Sequence, residues 1–446
     1  MSTTDQLRHR LTVASFVVVA LVAVTFGWFA TRVHADVAQA PRLHDGGVWV
    51  STSARSLIGR LNVATRRLDG GVVPERLVGE AVPPGTPVDV VQDGAAIVGL
   101  AGLAGLAGSP MWAGAIDPDT ARFTAAAKVP LPPPSKATGL PYAVPLPLDV
   151  RGGTVALVDP ATGRLWAQRA EPGGTFATLD QLAPAATPLA VVGATAAVAV
   201  GEDGSVYAAS AATGTVVTLT VDEVTGALRP ARPSPLGFTS KAVELTVVGT
   251  RWVAFDPETA LLHSPGLAQP VEVSGSTEAA GGLAQVALQQ PGAASSAIVV
   301  QTAQELRVVP IEDGVEGGVV VSLPDAARTD SAGNALPVAL TAPVRAGSCV
   351  HGAWTGPQTV WYGRSCAAGP PQVAVRLGTL PTGTHVAGAR LRVNHGLIVL
   401  NDLDTGIVWD LDADPLKIDD WAAVTPQLQG LAPTRHPGQH PTDRRD

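Results

Sequence analysis

The chain has 446 residues, 46% of them hydrophobic and only 15% charged, with 48 glycines and 38 prolines. That composition suits a turn-rich β protein with a sizeable core and argues against a largely helical one. The formal net charge is -8 and no segment concentrates Lys and Arg with aromatic residues, so the electrostatic footprint of nucleic-acid binding is missing.

The first element in chain order is Leu11–Ala30, LTVASFVVVALVAVTFGWFA, a run without a charged residue that follows Arg8 and Arg10. As a helix it is about 30 Å long, the hydrocarbon thickness of a bilayer. The positive N-terminal flank predicts residues 1–10 in the cytoplasm, a single-pass membrane anchor over 11–30, and everything after Arg32 outside. A cleaved signal peptide is the alternative, with Val33 and Ala35 offering a small-residue site before Asp36. Residues 31–42 then read as a linker to an exported domain over 43–425.

Within that domain an apolar strand recurs, usually after a glycine or a turn residue. Its starts are Val48, Ala96, Thr154, Thr195, Arg251, Ala297, Cys349 and Leu397. A spacing of roughly 50 residues marks a repeat architecture, and the lack of intervening amphipathic helices removes the helical solenoids. Blades of four short strands need about 40 to 50 residues, so the reading is an all-β propeller preceded by one transmembrane helix. Eight starts favour eight blades, and seven remains open if strands from both chain ends share one.

A second strand follows each start after a turn, and the turns form a family. DPATG (159–163), DPETA (256–260) and DLDTG (402–406) join the first pair of strands, whereas NVATR (62–66), DPDTA (117–121) and SAATG (210–214) are read one hairpin later, and DEVTG (222–226) is a further copy. Asp159, Asp256 and Asp402 can accept hydrogen bonds from amides two or three residues on, Thr162, Thr259 and Thr405 can bond a turn amide, and Gly163 and Gly406 tolerate φ > 0. They are structural turn residues. Two stretches interrupt the period: LAGLAGLAGSP (100–110) inside blade two, and the polyproline-like VPLPPPSKATGLPYAVPLPLD (129–149) before blade three. After Trp421 the chain turns polar and proline-rich, and residues 426–446 read as a disordered tail.

The only two cysteines, Cys349 and Cys366, lie in SCVHGAWTGPQTVWYGRSC. A loop over Thr355–Val360 places Trp354 opposite Trp361, and the same register places Cys349 opposite Cys366 within bonding reach. An oxidising exterior makes that pair a disulfide, with about 3 kcal/mol of stabilisation in the chain-entropy model. Trp354, Trp361 and Tyr362 gather aromatic surface there, which offers a contact surface, although cross-strand packing accounts for it more simply.

The nine histidines show no ligand spacing, and no HExxH, CxxC, GxSxG or P-loop lysine motif occurs. No catalytic, cofactor or metal residue is assigned. Propeller enzymes do assemble sites from loops of different blades, which spacing along one chain does not reveal.

Leu43–Val72, LHDGGVWVSTSARSLIGRLNVATRRLDGGV, resembles the start of large actinobacterial membrane proteins of the fibronectin type III or Ig-like domain kind. DGGVWV (45–50), LIGRLN (57–62), CVHGAW (349–354) with YGRSC (362–366), and VLNDLDTGIVWDLDADPLKIDDW (399–421) carry the resemblance. It implies a propeller-like region ahead of Ig-like or fibronectin-type modules, with no enzymatic activity, and this chain ends soon after IDDWAAVTP. The expectation is a membrane-anchored extracytoplasmic propeller, a non-catalytic scaffold for an envelope protein or cell-wall polymer. The alternative is a propeller enzyme, a lyase, glycosidase or quinoprotein-like dehydrogenase, with its site in the central channel.

Overall fold

The structure is a computed structural model. It describes residues 47–424 except 75, 78–79, 82–85, 103–110, 130–145, 184, 230–231, 274–276, 279–283, 367–369, 382–387 and 413–414. The anchor run Leu11–Ala30, most of the proline-rich stretch and the 426–446 tail therefore lie outside the described residues. Among the described residues no helix is long and apolar enough to cross a membrane.

The chain is an eight-bladed β-propeller. Blade 1 has three strands, Gly47–Thr52, Leu57–Asn62 and Arg67–Val72. Blades 2 (88–129), 3 (148–191), 4 (196–235), 5 (244–272) and 8 (389–418) are four-stranded antiparallel meanders. Blade 6 (287–322) gains a fifth, parallel strand, Gln372–Val373, from the segment linking the last two strands of blade 7 (339–379). Among the described residues two further short hairpins, Arg76–Leu77 with Glu80–Ala81 and Thr277–Glu278 with Ala284–Gln285, stand between blades.

The stacking of blades explains the apolar repeat. A blade's second strand is covered on both faces by neighbouring sheets, so it reads as an unbroken apolar run: Thr154–Val158, Val206–Ser210 and Ala297–Gln301 are buried at every position. Outer strands face solvent and tolerate proline, as Pro233 and Pro235 show in the mostly exposed outer strand of blade 4, Arg232–Pro235.

Register corrects the turn assignment. Six of the eight apolar starts fall on second strands, but Val48 and Thr195 mark the inner strands of blades 1 and 4, whose second strands are Leu57–Asn62 and Val206–Ser210. NVATR and SAATG thus join second to third strands, as DPATG, DPETA and DLDTG do, while DPDTA joins the third and fourth strands of blade 2. The chemistry is as expected. Asp159 Oδ1 accepts the Ala161 N–H at 2.9 Å while Oδ2 accepts the Thr162 hydroxyl at 2.5 Å. Asp256 holds Glu258 N–H and Thr259 Oγ1 at 3.0 and 2.7 Å, and Asp402 holds Thr405 N–H and Oγ1 at 2.8 and 2.6 Å.

Gly163 shows why the turn must end in a small residue. Its φ is +69°, and a Cβ there would lie 2.0 Å from the Gly193 carbonyl oxygen, a backbone atom that cannot swing away. Gly163→Ala is expected to cost about 2–4 kcal/mol, left-handed strain plus the clash, read as a lowered urea midpoint with an unchanged m-value.

The ring closes without sharing a blade, which settles eight over seven. Blade 8 packs on blade 1 through Val48, Val50, Leu57, Val399, Val408 and Trp421, all buried. Trp421 lies so close over Gly59 that a Cβ there would sit 2.7 Å from its ring, and its indole N–H donates to the Gly406 carbonyl at 2.6 Å. Ser53 N–H reaches the Leu403 carbonyl at 2.8 Å, and Arg66 pairs with the buried Asp410 at 3.0 Å.

Candidate functional site

The polar side chains of the inner strands are the groups nearest the propeller axis. Several are charged residues set within apolar strands: Asp89 in VDV (88–90), Asp149 in LDV (148–150), Glu244 in ELTVV (244–248), and Arg390 and Arg392 in ARLRVN (389–394).

Arg392 organises one side of the axis. It is 8% exposed and reaches from blade 8 past blade 1 to blade 2, donating to the Val90 carbonyl and to Asp89 Oδ1, with Ser51 Oγ of blade 1 at 3.1 Å. Arg390 Nε stands 2.8 Å from Asp89 Oδ2, an ion pair whose geometry falls outside hydrogen-bond alignment. Asp89 is fully buried. Burial alone would raise its pKa, but the Arg392 and Arg390 guanidiniums beside it prevail and hold the carboxyl below the usual range. Gln290 of blade 6 donates to the Leu391 carbonyl of blade 8 at 2.8 Å and to the Ala342 carbonyl of blade 7 at 3.4 Å.

The other two acids behave differently. Asp149 accepts the Val150 and Val200 amides at 2.9 and 2.8 Å, yet desolvation outweighs these bonds and Arg151, and its pKa is raised. Glu244 is half-buried, and desolvation pushes its pKa up to about 8 against a single opposing bond from the Leu288 amide. Desolvation thus favours its protonated form at neutral pH.

Polar side chains of the inner strands, with others from the second and third strands, join the blades. All eight seams are crossed by a side-chain hydrogen bond: Gln92 to Trp49 N, Asp93 to Gly152 N, Asp149 to Val200 N, Tyr207 to Thr250 O, Thr246 to Gln289 O, Gln301 to Ala353 O, Arg364 to Asp412 O and Asn401 to Ser51 N. Most of these bonds fall on backbone groups of inner strands and of turns, which need partners outside their own sheet. Among the described residues no group of three or more His, Cys, Asp or Glu side chains could hold a metal ion.

The expected Cys349–Cys366 disulfide is present, and Trp354 faces Trp361 as the register requires. The contact surface over Trp354, Trp361 and Tyr362 is not. Trp354 is fully buried with its indole N–H on the Thr302 carbonyl at 2.8 Å, Tyr362 is 5% exposed, and Trp361 is half-buried. Both faces of this hairpin are covered, Trp354 by blade 6 and Tyr362 by blade 8. Tyr362 bonds His351 Nδ1 through its hydroxyl at 2.7 Å; burial, assisted by the Arg364 charge, pushes the His351 pKa down to about 4, and burial raises Tyr362 to about 12.

At the rim, the outer edge of blade 4 and the loop after the third strand of blade 5 enclose a surface cavity of about 460 Å³. Leu236, Trp252, Leu267 and three prolines, Pro235, Pro265 and Pro270, make it apolar, and His263 lowers in pKa through burial there.

Sequence reasoning passed over Asp89, Glu244 and Arg392 because it looked for motifs. The available signal was a charge at a position where the repeat otherwise places an apolar side chain.

No family model matches the chain, and no curated protein matches it. Among solved structures it is similar to apo AztD from Citrobacter koseri, at 11% identity and TM-score 0.43, covering 84% of this chain and 94% of that one. It is similar to virginiamycin B lyase from Staphylococcus aureus at 11% identity and TM-score 0.40, covering 71% and 92%. A putative 6-phosphogluconolactonase from Bacteroides uniformis has 12% identity and TM-score 0.39, covering 83% and 94%. At such distances none of them transfers a residue's role to this chain.

Proposed function

We propose that this chain is a membrane-anchored, extracytoplasmic propeller that serves as a non-catalytic scaffold for an envelope protein or cell-wall polymer, a counterpart of the actinobacterial surface proteins it resembles. The observation that carries this reading is the use of inner-strand polar groups as interblade staples, which leaves the loops and the rim cavity for recognition. The disulfide and the uncharged run Leu11–Ala30 support an exported location. One observation favours a propeller lyase, glycosidase or dehydrogenase instead: Glu244, kept protonated near the axis, has the character of a general acid.

A peroxidase fused to the C-terminus, run on intact cells with a membrane-impermeant substrate, tests the reading. Labelled envelope proteins and cell-wall enzymes, together with full-length protein in the membrane fraction, are the expected result. Labelling confined to cytosolic proteins on lysis overturns the anchor and the surface role together.

A further inference from the structure

We propose that Cys349–Cys366 is a thiol–disulfide exchange site, opened by an external protein dithiol that attacks Cys349 and expels Cys366 as a thiolate held by Arg364.

Two observations point there. In the folded chain the hairpin's register does not depend on the disulfide. The hairpin Cys349–Thr355 with Thr359–Ser365 is already paired without interruption from Val350 opposite Ser365 to Thr355 opposite Val360, and Trp354 and Val360 within it are fully buried. The cysteines lie beyond the last of these pairs, at the open end of the ladder, both half-buried. Breaking the bond therefore leaves the blade's packing in place.

Arg364 is the second observation. Its Nε lies 3.0 Å from Cys366 Sγ, Nη2 lies 3.7 Å from Cys349 Sγ, and Nη1 is fixed on the Asp412 carbonyl at 3.2 Å. A neutral disulfide sulfur is a weak acceptor, whereas a thiolate is a strong one, so a guanidinium clamped in this position favours the opened state over the closed one. The shorter distance selects Cys366 as the leaving sulfur. Across the ladder His351 faces Arg364 in register, and it stays neutral with its Nδ1 on Tyr362, so Arg364 supplies the local positive charge.

In the exchange an external thiolate attacks Cys349 Sγ. A mixed disulfide forms there as the S–S bond breaks, and its electron pair leaves on Cys366. The second thiolate of the dithiol attacks its partner sulfur in the mixed disulfide and releases Cys349 as a thiolate, which takes a proton from water. The site gains two electrons and the dithiol becomes a disulfide; the reverse sequence oxidises a dithiol partner.

The purified full-length chain in detergent, equilibrated with dithiothreitol buffers of graded potential and then alkylated, tests this independently of the scaffold reading. Arg364→Gln is expected to slow opening about tenfold and to shift the midpoint to more negative potential by about 30 mV, a tenfold change in the two-electron equilibrium. Arg364→Lys should fall between. A brief glutathione pulse quenched by acid should leave glutathione on Cys349. The proposal is overturned if the Gln variant opens at the wild-type rate and midpoint, if glutathione sits on Cys366, or if opening of the wild type requires urea. Should the Gln variant misfold, the wild type decides: Cys366 in the reduced protein must alkylate with a pKa below the ordinary thiol value of about 8.5, and an ordinary or raised value refutes the role of Arg364.

Discussion

Asp89→Ala is expected to lower the stability of the propeller by about 3–5 kcal/mol, the range for breaking a buried ion pair from one side. Asp89 is fully buried and Arg392 nearly so, and the two join blade 2 to blade 8 across the inner edge of blade 1. Removing the carboxylate strands Arg392 in a site where its other acceptors are neutral oxygens of Val90, Ser51 and Asn401. Arg390, with about a quarter of its side chain exposed, can turn towards water. The double variant Asp89→Val with Arg392→Leu should therefore recover much of the loss, because it removes both charges and their desolvation cost. Thermal unfolding at fixed scan rate checks both. A wild-type-like melting temperature for Asp89→Ala, or a double variant that melts lower still, removes the pair as the clamp of the ring seam.

The ring, its blade number and the disulfide were legible in the sequence because each follows from local chemistry repeated: a doubly covered second strand is apolar throughout, and an Asp-x-x-Thr turn reports itself wherever it occurs. Two blades were entered one strand early. The inner strands GVWVST (47–52) and AAVAV (196–200) are as apolar as the strands beside them, so hydrophobicity cannot separate first from second, whereas the turns NVATR and SAATG could have done so. The axial cluster was invisible for another reason. Asp89 and Arg392 are separated by 303 residues, and their pairing depends on ring closure, which no local pattern encodes. The aromatic trio failed as a surface because Trp354 and Tyr362 lie on a hairpin covered by a blade on each face, a burial set by neighbours remote in sequence.

Glu244 should make the propeller less stable as pH rises from about 5 to 8. Its pKa is about 8 in the folded protein and near 4.5 in the unfolded chain, so across that interval the unfolded chain has lost a proton that the folded one keeps. Folding then takes up a proton, and stability falls with rising pH at up to about 1.4 kcal/mol per unit. Solvent access at the half-buried side chain reduces the total to roughly 2–4 kcal/mol. His351 acts with the opposite sign over a lower range. Its pKa is depressed to about 4 from 6.5, so its contribution is complete above 6.5 and is lost as pH falls towards 4. Asp149, also raised, reinforces the Glu244 slope only above its own unfolded value of 3.8. Above pH 6.5 the Glu244 effect therefore stands clear of His351. Glu244→Gln keeps an acceptor for the Leu288 amide and removes the ionisation. Its melting temperature should match the wild type near pH 5, where Glu244 is protonated, and exceed it at pH 8. A wild-type curve that is flat from pH 6.5 to 8, or a Gln variant with no advantage at pH 8, shows that Glu244 ionises freely at neutral pH. That result would also withdraw the protonated acid at the axis, the one feature that favours an enzymatic reading.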